Sequence, residues 1–263
     1  MILAIDVGNT NLVLALGDEA GSVDSVWRIS SDAVTSAEAC RDAIRKTLGA
    51  KLEEIDNSVI ASVVPAITRH VATAMEGVTG RAPLVVGESG VDLGIAVNID
   101  RPEQAGADRV VNAVGAQVHH RLPAVILDFG TATTLDLVGA DGAYEGGIIA
   151  PGVALSIEAL ERAAAQLPKL ELRAFGDDLP VLGKNTVAAM ESGVFWGYVS
   201  MIDGLLTRLR GQYGKSLPAI ATGGLASLFA VHVPGITMVD PDLTVRGLVE
   251  IYKRNSKNNE TDI

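Results

Sequence analysis

Two carboxylates in this chain each close a short apolar run and stand two residues before a glycine. Ile2-Leu3-Ala4-Ile5 leads into Asp6-Val7-Gly8-Asn9-Thr10, and Ala124-Val125-Ile126-Leu127 leads into Asp128-Phe129-Gly130-Thr131-Ala132-Thr133-Thr134. A second apolar run follows each turn, Leu12 to Leu16 and Leu135 to Val138. Apolar run, small polar turn and apolar run predict a buried β-hairpin. Such a turn suits a phosphate: glycine lets backbone N–H groups approach closely, and Thr and Asn add donors. The aspartate adds an oxygen ligand that can hold Mg²⁺ through water. A single Asp-x-Gly turn has a bland explanation, because both residues favour turns anyway. Two copies in matching contexts, half a chain apart, predict a duplicated fold with a nucleotide clamped between the halves.

Gly106-Ala107-Asp108-Arg109 precedes an apolar helical run from Val110 to about His120. In one reading Asp108 is the N-cap of that helix and Arg109 a surface residue. In the other, Asp108 is the base for a substrate hydroxyl, as an Asp is in other phosphoryl transfers, and Arg109 forks onto an anionic group of that substrate. Spacing leaves both open. Thr222-Gly223-Gly224-Leu225-Ala226 follows an apolar strand and opens a helix. Paired glycines there let a flat adenine lie close to the backbone, and the helix N-terminus offers N–H groups to phosphate; the alternative is a plain strand–helix connection. Gly183-Lys184-Asn185-Thr186 resembles the end of a Walker A loop but fails its pattern. Asp178 stands where the first glycine belongs and Asn185 where Ser or Thr belongs. His70, His119, His120 and His232 show no metal-ligand spacing with Cys40, and no transition metal is assigned.

The elements that must carry these residues alternate. Strands are expected at Val23 to Ile29, Ser58 to Val64, Pro83 to Val86, Tyr144 to Ala150, Pro218 to Ala221 and Ile236 to Val239. A helix opens at the capping-box spacing Thr35-Ser36-Ala37-Glu38, with Cys40, Ile44 and Leu48 on one face. Ile67, Val71 and Met75 mark a second helix. Others are expected at Val153 to Ala164, Thr186 to Arg210 and Leu243 to Arg254. Small residues four apart in Gly193-Val194-Phe195-Trp196-Gly197 suit close helix contact, either within the chain or at a dimer seam. The pattern is α/β.

Bulk properties narrow the class. The chain has 263 residues, is 48% hydrophobic and carries a net charge of −11. That charge argues against non-specific nucleic-acid binding and against docking on an anionic membrane. No apolar run approaches the roughly 20 residues of a membrane span. The single cysteine fits a reducing compartment, and the N-terminus lacks the basic region of a signal peptide. A cytoplasmic protein is expected.

Together the residues quoted above, with Gly146-Gly147-Ile148-Ile149-Ala150-Pro151-Gly152, resemble the type III pantothenate kinases of the acetate and sugar kinase/Hsp70/actin superfamily. The match runs to about Tyr252. Each landmark is weak alone; all six in order are specific. The resemblance implies two ribonuclease-H-like (actin-like ATPase) domains, 1–120 and 121–255, with the active site in the cleft between them; the polar tail at 256–263 is expected to be disordered from its composition. It implies ATP-dependent phosphorylation of pantothenate, the first step of coenzyme A synthesis, in a homodimer with the pantothenate pocket near the seam. By the family's pattern Asp6, Val7, Gly8, Asn9, Thr10, Asn11, Leu12 and Val13 contact the ATP phosphates, and Asp6 serves Mg²⁺ through water. Thr131 contacts ATP and Asp128 holds a monovalent cation, K⁺ or ammonium. Asp108 is the proton acceptor, and Gly106, Ala107, Asp108, Arg109 and Thr186 bind pantothenate, with Arg109 on its carboxylate. One departure stands out. Many members carry a pocket Tyr three residues before the Pro that precedes Gly-Ala-Asp-Arg; here that position is Ile99, and no Tyr occurs between Pro83 and Asp136. The competing readings are a non-catalytic regulator on the same fold, a superfamily chaperone or filament ATPase, and a kinase for another small hydroxy acid.

Overall fold

A computed structural model of the chain describes residues 1–18, 22–163, 168, 170 and 179–261. Strands β1 (Ile2–Val7) and β2 (Asn11–Gly17) form the first expected hairpin, with Ile2 opposite Gly17 and Val7 opposite Leu12. Leu3, Ile5 and Val7 enter one apolar cluster, while Ile2 and Ala4 enter another. Burial on both faces explains why this run is continuously apolar rather than alternating. β3 (Val23–Ser30) extends the sheet antiparallel to β2. β4 (Asn57–Ser62) lies parallel to β1, and β5 (Leu84–Val85) parallel to β4.

Helix α1 (Ala37–Leu48) buries Cys40, Ile44 and Leu48, the face read from the sequence. Its cap is Ser36, whose hydroxyl accepts the Ala39 N–H at 3.1 Å, one residue later than the expected capping box implies. Ser36 takes the extended backbone that an N-cap requires. α2 (Pro65–Thr79) covers the same face of the sheet as α1. The other face is covered by α3 (Ala107–His119) and by the last helix, α7 (Leu243–Thr261).

The second sheet comprises β6 (Ala124–Phe129), β7 (Ala132–Val138), β8 (Tyr144–Pro151), β9 (Ala219–Thr222) and β10 (Met238–Val239). The strand orders are β3-β2-β1-β4-β5 and β10-β9-β6-β7-β8. Read from β8, the second order is the first repeated five strands on, so the duplication inferred from the paired turns extends to both sheets. α4 (Val153–Ala163), α5 (Thr186–Tyr213) and α6 (Ala226–Ala230) contribute to a core with Phe129, Phe195, Tyr198 and Phe229.

The chain forms two compact units. One is Met1–Leu122 with Val138–Gly146 and Asp242–Ile263; the other is Pro123–Leu137 with Gly147–Pro241. α7 therefore packs with the first half of the chain, where the sequence reading placed it with the second. Its contact with α3 is close. A Cβ added at Gly115 would sit 2.5 Å from the Leu243 carbonyl, and one at Gly247 would collide with the Val111 carbonyl. Buried Asn112 accepts the Thr244 hydroxyl at 2.7 Å across the same contact. α7 also continues to Thr261, into the segment expected as a disordered tail. No Pro or Gly after Gly247 stops it, and a Glu250–Arg254 pair at 3.0 Å supports the turn. Residues 262–263 of that expected tail lie outside the described residues.

Candidate active site

Within the first unit, Asp6 stands near the end of β1 and is half-buried. The turn Gly8-Asn9-Thr10 closes with Gly8 N–H donating to the Asn11 carbonyl at 3.0 Å. Buried Ser31 pins the turn from beneath. Its hydroxyl donates to the Gly8 carbonyl at 2.7 Å and its N–H to the Thr10 carbonyl at 3.0 Å. A trans peptide points its C=O and the following N–H in opposite directions. Holding those two carbonyls therefore aims the N–H groups of Asn9 and Asn11 to the other side. Aimed backbone donors beside a carboxylate are the chemistry of a phosphate and its cation.

α3 begins at Ala107, three residues before the expected start, so Asp108 lies in its first turn. The N-cap is Gly106, with no side-chain cap bond, which removes the reading of Asp108 as the cap. The Asp108 carboxylate accepts the Arg109 N–H at 2.8 Å. A Cβ at position 106 would sit 2.6 Å from Asp108 Oδ1, so glycine is what leaves the carboxylate room. The Arg109 guanidinium lies 5.6 Å from the centre of the Tyr144 ring. Gly106, Ala107, Asp108 and Arg109 are thus brought into one helix start, all of them partly accessible.

In the second unit the turn Gly130-Thr131 is one residue shorter than its counterpart. Gly130 N–H donates to the Ala132 carbonyl at 3.1 Å, and Gly152 N–H to the Thr131 carbonyl at 3.0 Å. Asp128 pairs in parallel register with Thr222. Gly223 follows at φ +88°, and a Cβ there would sit 2.5 Å from Asp128 Oδ1. That backbone position requires glycine twice over, for its φ and for the close approach. Thr222 Oγ1 is buried with no hydrogen-bond partner among the described residues. The donor set of Asp128 and Thr222, both hard oxygens, fits a hard cation.

Thr186 is the first residue of α5 and is exposed. Asn185 caps that helix by accepting the Ala188 N–H at 2.9 Å. Thr186 borders a 660 Å³ cavity, largely apolar, between α4 and α5. Phe195 and Tyr198 face the core, whereas a Cβ added at Gly193 or Gly197 meets no described atom within 4 Å. The small-residue side of α5 therefore opens onto this cavity, with Val153, Ser156 and Leu160 of α4 on its other wall. Tyr198 hydrogen-bonds Thr133 on β7. Burial pushes its phenol pKa up, the Thr133 bond opposes this, and the Asp128 charge adds to it.

Sequence reasoning missed Ser31, Tyr144 and Tyr198. All three act on residues far away in the chain, and no spacing signal marks them. No described helix is long and apolar enough to cross a membrane.

The family described as type III pantothenate kinase matches residues 2–208. A type III pantothenate kinase from Paramagnetospirillum magneticum is 47% identical over 97% of this chain and 98% of its own length. The chain belongs to the type III pantothenate kinases. The kinase carries out ATP-dependent phosphorylation of pantothenate in coenzyme A biosynthesis. Among solved structures, one from Campylobacter jejuni named for the Baf family of transcriptional activators aligns with a TM-score of 0.61, at 18% identity over 97% of this chain and 99% of that one. A ROK family glucokinase from Streptomyces griseus, bound to glucose and AMPPNP, aligns at 0.55 and 13% identity over 95% and 98%. At such identities these two likenesses show the fold alone, an α/β architecture of the actin-like ATPase kind.

Proposed function

We propose that the kinase performs its reaction with Asp108 as proton acceptor for the pantothenate hydroxyl and Arg109 as the partner of the pantothenate carboxylate. The observation that carries this reading is the start of α3, where Gly106 makes room for the Asp108 carboxylate beside Arg109. An ordinary aspartate, with a pKa of about 3.9, is a weak base. That suffices, because phosphoryl transfer rests mainly on positioning and charge neutralisation. Asp108 orients the hydroxyl in line with the γ-phosphate and takes its proton late. Residues Asp6 to Val13 hold the ATP phosphates through the aimed N–H groups of the first turn. Asp6 would hold Mg²⁺ through water, and Asp128 with its neighbours would hold K⁺ or ammonium; these ions offset phosphate charge. Thr131 contacts ATP, and Thr186 contributes to the pantothenate pocket. The open, small-residue side of α5 supports a homodimer, and the single cysteine supports a reducing, cytoplasmic setting.

The test is pantothenate-dependent ADP release, measured with and without K⁺. Release that depends on pantothenate and rises with K⁺ is expected. Asp108→Asn is expected to abolish turnover while calorimetry still detects pantothenate binding. Near-wild-type kcat in that variant removes Asp108 from the role. Light scattering should give twice the mass of the chain.

A further inference from the structure

A tyrosine meets the helix start that carries Asp108 and Arg109. Tyr144 stands at the start of β8, 1% exposed. Its backbone is held on both sides by the stretch just before Ile99: Tyr144 N–H donates to the Ala96 carbonyl at 2.9 Å, and Asn98 N–H to the Tyr144 carbonyl at 2.8 Å. Asn98 also donates to the neighbouring Glu145 carboxylate at 3.0 Å. The ring so fixed carries the Arg109 guanidinium at 5.6 Å from its centre. This is within the range of a cation–π contact, about 6 Å.

Geometry gives the contact a purpose. A guanidinium stacked on an aromatic face engages the ring through its own face, whereas its N–H groups radiate in the plane. A ring face beneath the guanidinium carbon therefore limits where Arg109 can sit, while its N–H groups keep the fork that grips a carboxylate at two points. We propose that Tyr144 is a positioning residue for pantothenate recognition. It presents the Arg109 fork to the substrate carboxylate and so contributes to selection for an acid over a neutral analogue. This rests on the assignment of Arg109 to the carboxylate.

The test keeps the ring and changes its electrons. Position 144 is replaced by Phe and by a series of phenylalanines carrying one to five ring fluorines, which retains shape while removing the negative face stepwise. KM and kcat are measured with pantothenate and with its neutral amide, and the melting temperature of each variant is recorded. Tyr144→Phe, which lacks the hydroxyl but keeps the electron-rich face, is the reference against which the fluorinated series is read. Across the fluorinated series KM for pantothenate should rise about three- to tenfold, the range of a partly desolvated cation–π contact. KM for ATP, KM for the amide and kcat should stay level. A flat pantothenate KM overturns the role of Tyr144, as does an equal rise for acid and amide. Arg109→Ala is the control for the underlying assignment: an unchanged pantothenate KM there overturns that assignment instead.

Discussion

Gly106 governs Asp108 by having no side chain. With Oδ1 only 2.6 Å from where a Cβ would stand, Gly106→Ala must displace the carboxylate. A shift of about 1 Å in a positioned group can cost on the order of 100-fold in rate. The expected outcome is a kcat reduced about 10- to 100-fold with KM for ATP little changed, read by steady-state kinetics; wild-type kcat would show that the carboxylate tolerates the shift. Cys40 sits at the other extreme of reactivity. It is fully buried, and desolvation pushes its thiol up to about 11. Since the thiolate is the nucleophile, the thiol stays neutral below that value and the native protein should resist iodoacetamide at pH 8. Mass spectrometry should find Cys40 alkylated only after denaturation. The carboxylates and the helical face of Cys40 were legible in the sequence because each is a local pattern. The room that Gly106 leaves was not, since it depends on where a side-chain oxygen two residues on turns.

Most elements were legible in the same way. The runs around Ile5 and Ile126 gave the hairpins, and the four-residue recurrence of Cys40, Ile44 and Leu48 gave α1. Boundaries shifted where a cap decided them: Ser36 displaced Thr35, and Gly106 displaced Asp108. The contact of α3 with α7 was invisible, although its glycines stood in the sequence. Gly115 and Gly247 each lie against the other helix's backbone. Gly247→Ala forces the helices apart, and overpacking of this kind costs about 1–3 kcal/mol. We expect a lower melting temperature by circular dichroism. Because α3 carries Asp108, kcat should fall as well. A variant as stable as the parent would mean that the two helices slide past the added methyl.

Over the whole molecule, the last helix belongs with the first half of the chain. α7 supplies Val245, Leu248, Val249 and Ile251 to the cluster that also holds Ile2, Ala4, Val111 and Val114. A chain ending at Pro241 would leave that face of the first sheet and the inner side of α3 uncovered. It should lose cooperative thermal unfolding and pantothenate-dependent ADP release; a truncated chain with both intact would contradict this packing. By itself the sequence determined the duplicated hairpins, the α/β class, the carboxylates and, through motif resemblance, the reaction. Those are local: they depend on periodicity, turn chemistry and residue order. Only the tertiary structure decided that α7 closes the first unit, that Ser31 holds the Gly8-Asn9-Thr10 turn and that Tyr144 lies under Arg109. Periodicity reports that a face is buried but not what buries it, and these partners are chosen by packing between segments far apart in the chain.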